Sequence, residues 1–159
     1  MRAGVLTISD RVSRGAAEDA SGAALAELLR SDGYEVTRNV VPDEPAAITG
    51  ALRELARNCA LVLTTGGTGV APRDVTPEAT REVLERDVPG IPEALRRDAA
   101  AKTPHGVLSR GVAGVVGRTL VVNLPGSPGG SRDGYAVIRD ALPHALSLLT
   151  DAPTEHGQT

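Results

Sequence analysis

Apolar residues recur along this chain in two rhythms, and the rhythm changes at Gly, Pro and Asp. Residues 3–8 form a short apolar, β-favouring run that stops at Ser9-Asp10-Arg11, as a buried strand does. Residues 19–30 then carry Leu25, Leu28 and Leu29 at helical spacing and are closed by Gly33. The pair repeats. Residues 35–41 read as a second strand ending in Pro42-Asp43-Glu44-Pro45, and residues 46–58 as a helix with Ile48, Leu52 and Leu55 on one face. Residues 60–64 are a third strand. After a glycine loop, Thr76 and Pro77 read as N-cap and first residue of a helix running to about Arg86, and another helix is expected from Pro92 to about Ala101.

Beyond the breaker Thr103-Pro104-His105-Gly106, the β-branched runs 112–116 and 119–123 meet at Gly117-Arg118, which predicts a hairpin. Residues 124–130 read as a loop and 133–149 as a final helix, bent or restarted at Pro143. Strands alternating with helices predict an α/β fold: a three-layer α/β/α sandwich, mostly parallel, with a C-terminal antiparallel hairpin. Residues 1–150 are expected to form a single ligand-binding domain, with 151–159 a polar tail. In such sheets ligands bind outside the carboxyl ends of the strands. That edge gathers Ser9-Asp10-Arg11, Pro42-Asp43-Glu44, residues 64–74 and residues 123–127.

Composition narrows the function. The chain has 159 residues, 41% of them hydrophobic, enough for one normal core. Tyr34 and Tyr135 are its only aromatics and its formal charge is −3, so it offers neither base-stacking platforms nor a phosphate-backbone footprint. Nucleic acid is not an expected partner. Cys59 is the single cysteine, which excludes a disulfide framework and a thiolate cluster and reads as a small buried hydrophobe. The chain enters a strand at once, and no apolar run nears the ~20 residues of a membrane span, so the expectation is a cytoplasmic protein without a membrane partner.

Gly66-Gly67-Thr68-Gly69 permits positive φ and close backbone approach, so successive N–H groups can form an anion-holding concavity; the alternative is a turn that needs glycine for its geometry alone. The stretch lacks the third glycine of the dinucleotide fingerprint and the lysine of a Walker loop. Asp43 and Asp74 both follow strand ends, where a few carboxylates plus substrate phosphates suit magnesium; alternatively they are a turn residue and a helix-start acid. Arg11 and Ser109-Arg110 are candidates for phosphate neutralisation. His105, His144 and His156 sit at no metal or triad spacing. The rigid turn Leu124-Pro125-Gly126-Ser127-Pro128 presents backbone groups and Ser127 at the same edge.

Together, Thr7-Ile8-Ser9-Asp10-Arg11, Val41-Pro42-Asp43-Glu44, Leu63 through Gly69, Arg73 through Ala79, Leu108-Ser109-Arg110 and Asn123-Leu124-Pro125-Gly126 resemble the molybdopterin adenylyltransferases of molybdenum-cofactor biosynthesis. These are the bacterial Mog and MoaB-type proteins and the G domains of gephyrin and its plant relatives. The resemblance implies the molybdopterin-binding fold, assembled as a homotrimer or homohexamer, that transfers AMP from ATP to molybdopterin and releases pyrophosphate. It implies that Asp43 and Asp74 are catalytic and hold Mg2+. It also implies nucleotide or pterin contact at Ser9, Asp10, Arg11, Thr65, Gly66, Gly67, Thr68, Gly69, Arg73, Thr76, Ser109, Arg110, Asn123, Pro125, Gly126 and Ser127, and a downstream molybdenum-insertion protein as a further partner. Many relatives carry a basic residue after the Pro-Gly-x-Pro turn, where this chain has Gly129-Gly130-Ser131-Arg132. The rival readings are a non-catalytic molybdopterin carrier or scaffold and a nucleotide-binding regulatory domain. Two retained acids argue against a carrier, since an anionic pterin gains nothing from added negative charge.

Overall fold

A computed structural model describes residues 1–150; the expected polar tail lies outside the described residues. Six strands form one sheet in the order β2-β1-β3-β6-β5-β4. Strands β1 (Arg2–Ile8), β2 (Glu35–Val41), β3 (Leu61–Thr65) and β6 (Thr119–Leu124) are parallel. β5 (Ala113–Val116) returns antiparallel to β6 through Gly117, whose φ of 58° suits the hairpin turn, and the two-residue β4 (Arg86–Asp87) closes the edge.

Side-chain alternation divides the core between the sheet's two faces. Ala3, Val5, Leu61, Leu63, Leu120 and Val122 face one layer, packing against Leu25 and Leu29 of α2 (Ala20–Ser31), Tyr135 and Ile138 of α6 (Pro128–Ile138), and Leu142 and Leu146 of α7 (Leu142–Leu149). Leu6, Ile8, Val62 and Val121 face the other, against Ile48, Leu52 and Leu55 of α3 (Pro45–Asn58) and Ala79 and Val83 of α4 (Thr76–Val83). This is the three-layer sandwich expected, and Cys59 is buried within it. No helix among the described residues is long and apolar enough to cross a membrane.

Several boundaries differ from the sequence reading. Val75, not Thr76, occupies the N-cap of α4; Thr76 is the first helical residue, and the helix ends at Val83 rather than near Arg86 because β4 follows. The helix expected from Pro92 begins earlier, as α5 (Gly90–Lys102). The last helix starts at Pro128, because Ser127 Oγ accepts from Gly130 N–H at 3.0 Å and caps a turn that Gly129-Gly130 had suggested was loop. It breaks at Arg139–Ala141 and restarts as α7 with Pro143 in its first turn. The short α1 (Asp10–Ser13) and the 3-10 turn Pro104–Leu108 had no clear sequence signal.

Candidate active site

The carboxyl ends of β1 and β2 are tied to each other. Ser9 donates its N–H to Val41 O at 2.9 Å, and its Oγ accepts from Val12 N–H to cap α1. Asp10 donates its N–H to Asp43 Oδ2 at 2.9 Å, and Asp43 donates its N–H to Asp10 Oδ1 at 3.0 Å. Arg73, arriving from the far side of the glycine loop, clamps the pair: Nε to Asp10 Oδ2 at 2.6 Å, Nη2 to Asp10 Oδ1 at 3.0 Å and to Asp43 O at 3.2 Å.

Glycine is required in the loop at two positions on conformational grounds, Gly66 with φ 101° and Gly67 with φ 67°. A Cβ on Gly67 would also lie 2.3 Å from Thr76 Oγ1 and 3.2 Å from Asp43 Oδ1, and one on Gly69 would lie 2.9 Å from Asp74 Oδ2. Both acids therefore come up against the loop backbone.

The loop is polarised. Its carbonyls are taken by the protein: Gly66 O by Thr76 Oγ1 at 2.9 Å, Gly67 O by Thr76 N–H at 3.1 Å, Thr68 O by Arg110 N–H at 2.8 Å and Gly69 O by Arg110 Nε at 2.7 Å. Among the described residues, no group accepts from the N–H of Gly67, Thr68, Gly69 or Val70. Four consecutive donors without partners are what an anion cradle requires.

Charge is unevenly balanced beside it. The Arg73 guanidinium, hydrogen-bonded to Asp10, holds that carboxyl below its usual range. Asp43 moves the opposite way: partial burial pushes its carboxyl up, and the Asp10 and Asp74 charges add to the rise. Asp74 Oδ2 accepts from Ala71 N–H at 3.0 Å. Asp43 Oδ1 and Asp74 Oδ1 accept no hydrogen bond among the described residues.

A cleft of about 570 Å³ opens beside the cradle, bounded by Thr68, Gly69, Ser109, Pro125, Ser127 and Gly129 on one side and by the inner face of α5 and the 3-10 turn on the other. A smaller one of about 220 Å³ lies across the Pro125–Pro128 turn, reaching Ser9, Thr65, Gly66 and Gly126. The turn stacks close on the loop, since a Cβ on Gly126 would sit 3.2 Å from Gly66 Cα.

Four of the residues expected at the ligand are buried or committed elsewhere. Asn123 points into the helix layer, where Nδ2 donates to Thr64 Oγ1 and Thr80 Oγ1, both at 3.0 Å, and Oδ1 accepts from Val112 N–H at 3.1 Å, using its full capacity for donation. Thr76 is buried and braces Gly66. Thr65 is buried, with its hydroxyl on Pro125 O at 2.7 Å. The Arg110 guanidinium is engaged by Gly69 O, Asp74 O and Glu78. Arg11 is exposed, with no side-chain partner among the described residues. The α5 wall of the larger cleft, with Leu95, Ala99 and Lys102, was not foreseen, although their i, i+4, i+7 spacing marks one helical face.

A family model described as "Probable molybdopterin binding domain" matches residues 4–144. The chain belongs to this molybdopterin-binding family. Within the family, it is 39% identical over 151 residues to the molybdopterin adenylyltransferase of Helicobacter pylori, covering 92% of this chain and 86% of that protein. It is 41% identical over 146 residues to the molybdopterin adenylyltransferase of Escherichia coli K12, covering 89% and 75%. The molybdopterin biosynthesis enzyme MoaB of Thermus thermophilus superposes with TM-score 0.89 at 52% identity over 96% of this chain and 98% of that one. The chain spans only 25% of the Drosophila melanogaster protein cinnamon and 23% of Dictyostelium discoideum gephyrin, at 41% and 40% identity.

Proposed function

We propose that this chain transfers AMP from ATP to the terminal phosphate of molybdopterin and releases pyrophosphate, in molybdenum-cofactor biosynthesis. One observation carries the reading: four N–H groups of the Gly67–Val70 loop, without an acceptor among the described residues, lie beside two carboxylates, Asp43 and Asp74, that close against that loop.

The reaction suits such a site. A phosphate oxygen of molybdopterin attacks the α-phosphorus of ATP, a new P–O–P linkage forms, and the bond to the bridging β-phosphate oxygen breaks with its electron pair leaving on pyrophosphate. The nucleophile is already an anion, so no general base is needed and the task is alignment and charge neutralisation. Two unit charges ~4 Å apart repel by about 4 kcal/mol at an effective dielectric of ~20. The inward N–H groups offset part of that repulsion. Asp10 and Arg73 set the position of Asp43, Thr76 and Thr65 act on the loop and turn, and Asn123 ties β6 to β3 and α4.

The donor set fits Mg2+. Among the described residues, Asp43 and Asp74 each keep one oxygen without a hydrogen bond, and Arg73 offsets Asp10 more directly than either. Among the described residues there is no cage of three or more metal-ligating side chains, which accords with the sparse shell magnesium takes when phosphates complete it. When bound there, magnesium would screen the phosphates and polarise the reacting one. The apolar face of the larger cleft suits the flat ring of a substrate, and Ser9, Ser109, Gly126 and Ser127 line the two clefts. On the resemblance, the protein acts in the cytoplasm as a homotrimer or homohexamer and hands its product to a molybdenum-insertion protein.

Incubation with molybdopterin, ATP and magnesium, with mass detection of adenylylated pterin, tests the reading. Tight molybdopterin binding without product would replace it by the carrier, and ATP binding indifferent to molybdopterin by the regulatory domain.

A further inference from the structure

The sequence presents Arg110 as a phosphate-neutralising charge, and the structure gives it other work. Its backbone N–H donates to Thr68 O at 2.8 Å, Nε to Gly69 O at 2.7 Å and Nη2 to Asp74 O at 2.7 Å, while Nη1 pairs with Glu78. One residue thus holds two successive carbonyls of the cradle and the carbonyl of the acid at its exit. Three of the five guanidinium donors are committed within the protein. Peptide planes are rigid, so fixing the Thr68 and Gly69 carbonyls outward turns the N–H groups of Gly69 and Val70 inward. Glu78, in the first turn of α4, fixes the guanidinium from behind.

We infer that Arg110 is a positioning residue: with Glu78 as its anchor, it orients the Gly69 and Val70 backbone donors and the Asp74 segment, and it acts on the substrate through that backbone rather than by its own charge. The inference rests on the cradle's role in the transfer proposed above. It separates Arg110 from a charge-neutralising arginine by what a lysine can replace. A lysine keeps the charge but has a single nitrogen on a flexible stem, and cannot reproduce a planar fork that spans Gly69 O, Asp74 O and Glu78.

Three variants of the full chain test it: Arg110→Lys, Glu78→Gln and the double variant. Transfer kinetics and the exchange rates of the Asp74 and Thr76 amides, both hydrogen-bonded within the loop, are measured for each. Misplacement of the cradle predicts a loss of about 10²-fold in kcat/KM for Arg110→Lys. Glu78→Gln shows a smaller loss of the same kind, and the double variant is no worse than Arg110→Lys because Glu78 acts through Arg110. Amide exchange at Asp74 and Thr76 accelerates in the same order. Near-wild-type transfer by Arg110→Lys with unchanged exchange would overturn the inference, as would fully additive losses. If the wild-type chain makes no adenylylated product while the exchange rates still rise in this order, the transferase reading fails and the backbone role of Arg110 stands.

Discussion

Asp10 and Asp43, 33 residues apart, exchange two hydrogen bonds, each giving its backbone N–H to the other's carboxylate. The exchange locks the ends of two neighbouring parallel strands in register and leaves Asp43 Oδ1 directed at Gly67. Arg73 secures the arrangement from the Asp10 side. Removing either Asp10 or Arg73 should therefore release Asp43 in the same way. We expect Asp10→Ala and Arg73→Ala each to lower the transfer rate by about 10-fold or more, with the double variant close to the worse single one. Independent, multiplicative losses in that cycle would mean that the two residues serve separate purposes.

Gly67 and Gly69 make opposite predictions within one loop. Gly67 combines positive φ with contact to Thr76 and Asp43, so Gly67→Ala should cost about 3 kcal/mol of stability. Gly69 lies outside the left-handed region, and its added Cβ would meet only the Asp74 carboxylate. Gly69→Ala should keep the wild-type urea midpoint and lose transfer activity. A Gly69→Ala variant as active as wild type would show that the placement of Asp74 against the loop is unimportant.

Asp43 and Asp10 should titrate apart. Burial first, then the Asp10 and Asp74 charges, raise the Asp43 carboxyl, so the folded state binds its proton more tightly than the unfolded chain. Its ionised form then subtracts stability as pH rises through the folded value, a penalty absent below the ordinary carboxyl value of about 3.9. Asp10 has the reverse sign, contributing stability above about 3.9 that is lost as pH falls through its lowered folded value. Carboxyl carbon NMR should place the Asp43 midpoint above that of Asp10, and Asp74→Asn should move the Asp43 midpoint down. The acid limb of transfer activity should follow Asp43. A midpoint for Asp43 at or below that of Asp10 would contradict the charge arrangement described.

Much of this was legible in the residues, because strand alternation and helix spacing are local. Strand 35–41 and the helix face of Ile48, Leu52 and Leu55 appear where the pattern put them, and the glycine motif marks the loop that the structure forms. Direction was harder to read. Asn123 closes an apolar strand at the ligand edge, yet period-2 alternation puts it on the face of Val121, toward α4, and there it meets Thr64 and Thr80. Arg110 was legible as a charge but not as a hydrogen-bond fork, since its partners Gly69, Asp74 and Glu78 come from a segment more than thirty positions earlier. Ser127 capping is local and readable, but the two glycines after it masked the helix start.

The most direct test of the two-acid site compares pyrophosphate release and adenylylated product from wild type and Asp74→Asn, with molybdopterin, ATP and magnesium saturating. The substitution keeps size and removes the charge that magnesium would meet. Wild type should form product and pyrophosphate in equal amounts, and Asp74→Asn, with unchanged thermal unfolding, should be slower by about 10²-fold or more. Wild-type turnover by Asp74→Asn would contradict the account.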